Sequence, residues 1–567
     1  LKRSQQMNRN TEAYFSNVSN LTHERSGFDL SHDIKTTFNT GDLIPISIIE
    51  VLPGDTHSLD MSAVIRMTTP IFPVMDNAYI DYYAFFVPNR LVWNHWKELM
   101  GENNLTAWEP TVDYTVPQIE APSGGWTEGT IADYYGVPTK VSGISISALP
   151  FRGYSLIWNE WFRDQTRKDP AMIHLDETTR TGTNSGSDYV NDIELGGLPL
   201  KAAKFHDLFT STTPSPQRGP DTFIPLGGRT GLAPVIVTNK EIPEGYRTGQ
   251  TLWWHAVTGS SLPNGQMGMY PYQSTDSTHA GTFMKSDSYS GNTGVGAYPS
   301  NLWANLSDRA GTTQNQSTIN QLRQAFAIQS FYERLGTAGR RYTEVIRSMF
   351  GVTSPDARQQ RPELIGGERV SINMNAVLQT SSTDNTSPQG NVAANSMTAF
   401  FNRNMGVYSA TEHGYIHILA VVRTDRSYQQ GIEKHFSRKT MFDFYWPQFA
   451  NIGEQAILNE QIYAQGTSKD KEVFGYQEAW AEYRFIPNRV TGLMRSNATG
   501  TLDSWHYADY YTELPIGVSG DWIDEPSTNV ARTLAVQDEP QFFGAFRIGD
   551  PAYRAMPVHS APFNMII

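Results

Sequence analysis

No cysteine occurs anywhere in the chain. That excludes disulfides, thiolate metal sites and cysteine nucleophiles, and it fits assembly in a reducing cytoplasm. Charge is sparse as well. Only 18% of the 567 residues are Asp, Glu, Lys or Arg, and the formal balance is −13. An acidic chain does not bind nucleic acid with its whole surface, although one local basic face stays open to it. Long apolar runs are missing. The longest is Tyr415–Val422, YIHILAVV, far short of the ~20 residues that span a bilayer. The first residues, LKRSQQMNRN, lack the apolar centre of a signal peptide. The chain is expected to be soluble.

The motifs of catalysis are absent too. There is no GxxxxGK[ST] phosphate loop, and Gly294-Val295-Gly296 lacks both a third glycine and a dinucleotide-binding setting. His23-Glu24 is not followed by the second histidine of HExxH. His413 and His417 have the spacing of helical metal ligands but lie in a strand pattern, which separates them by roughly 13 Å. Gly517-Val518-Ser519-Gly520 has its second glycine one place early for a nucleophile elbow, and no helix is expected after it. Asp425, Glu433 and Asp443 are scattered carboxylates that the sequence does not pair. His206-Asp207 are adjacent, so on a helix they point apart. No enzyme activity, cofactor or metal is expected.

What the chain has in quantity is glycine (46), proline (32) and aromatics (12%). This suits many short strands joined by long ordered loops. Tyr and Trp favour sites with one end buried and one end wet, protein interfaces included. Leu43–Leu52 and His57–Met67 read as strands around a Pro53-Gly54-Asp55 turn. Ala78–Val87, AYIDYYAFFV, and Tyr415–Arg423 are apolar on both alternating faces, with Asp81 the exception, so both faces should be covered. Lys439–Phe449 and Ala479–Ile486 supply further aromatic segments that read as strands. Helices are expected over Leu91–Met100, over Tyr154–Phe162 with its aromatic stripe, and over 316–350, closed by Gly351. Lys201–Pro220, KAAKFHDLFTSTTPSPQRGP, reads as a short helix stopped by Pro214 and Pro216. A strand is expected within Pro225–Thr238, and the tail from Leu502 reads as loop-dominated. With no internal repeat and helices confined to connections, the expected fold is mainly β: a jelly roll of two packed antiparallel sheets with long loop insertions containing several helices. Residues 1–40 read as an N-terminal arm and 41–567 as the body. Residues 239–300, rich in Gly, Ser, Thr, Asn and Tyr, read as a surface insertion.

Several stretches, in order, resemble the major capsid proteins of gokushoviruses, small bacteriophages of the microvirus group. They are YIDYYAFFVPNRLVW (79–93), HDLFTSTTPSPQRGP (206–220), INQLRQAF with RRYTEVIRSMF, GVTSPDARQQRP, FDFYWPQFAN, and FGYQEAWAEYRFIPNRVTGLMR followed by LDSWHYADYY. The resemblance implies a virion protein with a viral jelly roll. Copies would form pentamers and then a small T=1 icosahedral shell around circular single-stranded DNA, assembled in a bacterial cytoplasm. Its partners would be other copies, internal scaffolding, pilot and small DNA-binding proteins, and a host receptor. It also implies that 239–300 is an outward protrusion at the three-fold axes, where Trp253 and Trp254 are candidates for host attachment. Lys2, Arg3 and Arg9 are candidates to face the DNA. A different class, a jelly-roll carbohydrate-binding or glycan-cleaving protein, would need exposed aromatics and, for cleavage, a paired-carboxylate cleft.

Overall fold

The computed structural model describes residues 25–102, 114–220, 222, 319–372, 380 and 397–559. It also gives the course of short strands between 235 and 304, at 376–378 and at 392–395. Ten strands carry the body. Five come early: Ser26–Asp29 (β1), His32–Phe38 (β2), Ile44–Val51 (β3), Thr56–Met67 (β4) and Ala78–Pro88 (β5). Three follow a long insertion: Glu363–Ile372 (β6), Thr398–Ser409 (β7) and Gly414–Thr424 (β8). Two close the chain: Phe542–Gly549 (β9) and Pro551–Arg554 (β10).

They form two antiparallel sheets. One runs β1-β10-β4-β9-β2, with β7 also on β4; the other runs β6-β5-β8-β3. In β4 the burial alternates, so Leu59, Met61, Ala63 and Ile65 all face inward, as a pleat of period two requires. They meet Ile80 and Tyr82 of β5, Ile416 and Ile418 of β8, and Phe542 and Phe546 of β9 in one core. The fold is a β-sandwich of jelly-roll type with insertions, as expected.

The two-faced strands are covered on both sides, also as expected. The second face of the four-stranded sheet, with Phe85, Val87, Leu419 and Val421, packs on the helix Leu149–Ile157 (α1) and its neighbours. The aromatic stripe supplies Tyr154, Ile157 and Trp158 to this second core, and the chain continues to Phe162 as one π-helical turn. Gly153 permits the approach, because a Cβ there would stand 2.7 Å from His417 Nε2 in β8. The helices Ile319–Thr337 (α2) and Tyr342–Phe350 (α3) lie where expected, and Gly351, at φ +69°, ends α3.

Several expectations need correction. Lys201–Lys204 is extended, not helical: Lys201 bridges Asp42 and Ala203 bridges Asp524. Helix propensity is a weak preference that such pairing overrides. Leu91–Met100 keeps only a 3-10 turn, Asn89–Leu91, and one helical turn, Trp96–Leu99. Lys439–Phe449 and Ala479–Ile486 are not strands but 3-10 turns, at Met441–Asp443, Pro447–Phe449 and Ala481–Tyr483. The loop-dominated tail includes β9 and β10, which complete the six-stranded sheet. A four-residue helix, Gly520–Ile523, does follow Ser519, whose hydroxyl caps it by accepting from the Asp521 amide. Within 1–40, residues 26–38 form β1 and β2. Of Pro225–Thr238, only the strand Val235–Val237 lies among the described residues.

The chain divides into two compact units, Leu1–Arg218 with Glu333–Ile567, and Gly219–Tyr332. The second contains three antiparallel pairs, Val235–Val237 with Leu302–Ala304, Trp254–Val257 with Gly296–Pro299, and Met269–Gln273 with Thr282–Ser286. By sequence position the pairs are nested, one inside the next.

Candidate assembly surface

The residues that suggested chemistry prove to be structural. Asp207 accepts from the amides of Phe209 and Thr210, each at 2.9 Å, and from the Tyr428 hydroxyl, while His206 beside it is exposed. His417 is fully buried, and burial pushes its imidazole down to about 3. Burial keeps the Tyr135 phenol well above its ordinary range, so this hydroxyl donates to His417 Nδ1 at 2.8 Å. His413 instead meets the Trp96 ring edge-on at 5.7 Å. Asp425 accepts from the Tyr79 hydroxyl, Glu433 pairs with Arg489, and Asp443 accepts from the Lys439 and Thr440 amides. Among the described residues, no group of three His, Asp or Glu is placed to hold a metal ion, and no helix is long and apolar enough to cross a membrane. Lys2, Arg3, Arg9 and Trp253 lie outside the described residues; Trp254 opens a strand whose side chains also lie outside them.

The 201–220 stretch is held by charge. Lys204 is buried over the Trp522 ring at 4.5 Å, and burial lowers its amine. Burial would raise the neighbouring Asp509 carboxyl, but Arg426 and Lys204 hold it below its ordinary value. Phe205 sits under two guanidinium groups, Arg369 at 4.0 Å and Arg423 at 4.5 Å. Both arginines also bind Asp81, the polar exception in β5.

The surface that stands out lies between 433 and 495. Phe436, Phe442, Phe444, Tyr483, Phe485 and Ile486 are each at least half exposed. They are fixed nevertheless. Trp480 is buried at φ +64°, a left-handed conformation rare for a bulky residue, and its indole donates to the Phe449 carbonyl at 2.8 Å. Tyr445 packs against Trp480 and Tyr483, with ring centroids 5.7 and 6.1 Å apart. Arg438 is nearly buried; it covers the Tyr483 ring at 4.4 Å and pairs with Glu482 at 3.2 Å. Beside this platform lies a cleft of about 540 Å³ lined by Leu208, Phe209, Tyr428, Phe485 and Ile486 among others. Its two carboxylates, Glu433 and Glu482, are both held by cations, Arg489 for one and Arg438 with Lys434 for the other. Neither is left free for acid–base work.

The apolar face of α3 is only partly covered. No residue of this helix is buried, and Tyr342 and Phe350 are largely exposed. The sequence carried the signal for both surfaces, in the aromatic segments 439–449 and 479–486 and in the helical stripe of Tyr342, Val345, Ile346, Met349 and Phe350. It did not tell burial within the chain from burial against something else.

Residues 16–564 match the sequence profile of the family described as capsid protein (F protein). Similar proteins include the capsid protein VP1 of Spiroplasma virus 4, 41% identical over 543 residues and 95% of each chain. The capsid protein VP1 of Bdellovibrio phage phiMH2K is 38% identical over 559 residues and 98% of each chain. That of Chlamydia phage 1 is 36% identical over 587 residues and 97% of each.

Proposed function

The chain belongs to the capsid protein (F protein) family, and from this premise we propose that its copies form pentamers that close into a small icosahedral shell around circular single-stranded DNA. As a capsid protein it is a structural component of the virion and not an enzyme, and it self-assembles into a shell. The observation that supports the reading is similarity to three capsid proteins VP1 over 95–98% of the chain. Ordered aromatic surface supports it, because a closed shell requires each copy to present patches to several neighbours.

The same reading assigns the finer roles. Lys2, Arg3 and Arg9 face inward and neutralise phosphates without reading sequence. Internal scaffolding, pilot and small DNA-binding proteins take part, and assembly occurs in the bacterial cytoplasm. The 239–300 segment, with Trp253 and Trp254, projects outward and engages the host receptor. Electron microscopy of particles from cells expressing the full gene set, with a nuclease-protection assay, tests the shell. Closed particles holding protected single-stranded DNA are expected; a soluble monomer under conditions where the scaffold is present would refute it. Deleting 239–300 should leave assembly possible and impair adsorption, and unchanged adsorption would remove the attachment role.

A further inference from the structure

We propose that the aromatic platform at 436–446 and 483–486, with the cleft beside it, is the seat of a second copy of this chain. The inference rests on the shell-forming reading and gives it a surface.

Three observations lead here. First, the area is sufficient. Phe436, Phe442, Phe444, Tyr483, Phe485 and Ile486 are between 50% and 79% exposed. With Met441, Tyr445 and Trp446 they offer on the order of 1,000 Å², against about 800 Å² per partner in a standard interface. Isolated monomers rarely leave that much apolar surface contiguous.

Second, the platform is built. A tryptophan in a left-handed backbone conformation, an indole donating to a carbonyl and a nearly buried guanidinium between two rings all hold it in place. A surface ordered before it meets its partner avoids the entropy of ordering on contact.

Third, its charges are already spent. Arg438 and Lys434 lie within 3.2 and 3.5 Å of Glu482. Arg489 pairs with Glu433, and Arg484 with Glu478. Phosphate binding works by free cations releasing counterions, and these four already lie against three carboxylates of the same chain, with Arg438 and Lys434 sharing Glu482. What they leave is a mainly apolar face whose rim is paired largely within the chain, which suits another protein surface better than a polyanion. The chain's self-assembly supplies that surface, and apolar side chains of the neighbouring copy would enter the cleft lined by Phe485 and Ile486.

The absence of cysteine makes the test direct. Ile486→Cys places the only thiol of the chain at a site that is 79% exposed in the single copy. The full-length variant is assembled with its gene set, and its maleimide reactivity is compared in dissociated subunits, DNA-filled shells and DNA-free shells. Circular dichroism and thermal melting establish that the subunit folds. The expected result is fast labelling of subunits and labelling slower by at least about tenfold in both kinds of shell, because water is excluded from the core of an interface. Equal labelling in subunits and shells would overturn the proposal. So would protection confined to DNA-filled shells, which would make nucleic acid the occupant. If the unmodified chain forms no shells, the shell-forming reading itself fails, a result that differs from failure of the platform alone.

Discussion

Two buried residues show how single side chains govern this fold. Asp81 lies in β5 with almost no exposure and satisfies two arginines from strands far away in sequence, Arg369 at 2.7 Å and Arg423 at 3.0 Å. Asp81→Ala would leave the mostly buried Arg423 guanidinium without its carboxylate. A loss of about 3 kcal/mol is expected, measured by urea unfolding of dissociated subunits; a change below about 1 kcal/mol would mean that stacking on Phe205 and water suffice. The sequence displayed Asp81 as the one polar residue in an apolar strand, but partners 288 and 342 positions on were not legible. His417 sets a pH limit. Its folded value of about 3 lies below the ordinary 6.5, so between these limits the unfolded chain binds a proton that the folded chain refuses. Stability is therefore retained above pH 6.5 and falls as pH drops through that window. His417→Gln keeps an acceptor for Tyr135 without titrating, and it should flatten the decline in melting temperature between about pH 6.5 and 4.5. An unchanged slope would place the acid sensitivity elsewhere.

At the scale of elements, the contact of α1 with β8 is the most constrained. Gly153→Ala puts a methyl group 2.7 Å from His417 Nε2, and this imidazole is fully enclosed with no room to turn. The helix must lift from the sheet. A cost of about 1–3 kcal/mol is expected, and Gly153→Ala in a His417→Ala background should recover part of it in a double-mutant cycle. Additivity within about 0.5 kcal/mol would show that the two positions do not clash. Elements of this kind were readable in proportion to how local their signal was. β4 has strict alternation, β5 and β8 have apolar residues on both faces, and α1 and α3 carry stripes at helical spacing. The strands and α3 lie close to their expected bounds, whereas α1 begins five residues before the expected Tyr154 and the stripe runs on into the π-helical turn Trp158–Phe162. Lys201–Lys204 does not match its expected helix, because its extended form depends on bridges to Asp42 and Asp524. The 439–449 and 479–486 segments have strand-like composition but no strand partners, and Pro447 and the turn at Trp480 bend them into the platform. The reverse holds at β9, where Phe542, Phe546 and Ile548 face the core and Phe543 and Arg547 face away, an alternation that the loop-rich residues around it mask in the sequence.

For the whole molecule, the formal charge of −13 works against assembly, since every copy repels every other. An attraction strong enough to close a shell must overcome this, and its nature fixes the response to salt. If copies met through ion pairs between chains, raising salt would screen the attraction and the repulsion together. On the platform the pairs close within one chain, Arg438 with Glu482 and Arg489 with Glu433, and what faces outward is mainly aromatic. Salt then screens mostly the repulsion, because the Debye length falls from about 10 Å at 0.1 M to about 3 Å at 1 M. Apolar burial is unaffected by that screening, and sulfate strengthens it. The yield of DNA-free shells from purified subunits, followed by light scattering and sedimentation, should therefore rise with sodium sulfate over this range and should fall in Phe485→Glu, which sets a charge on the platform. A yield that drops with salt in the unmodified chain would mean that intersubunit ion pairs, and not the aromatic face, supply the cohesion of the shell.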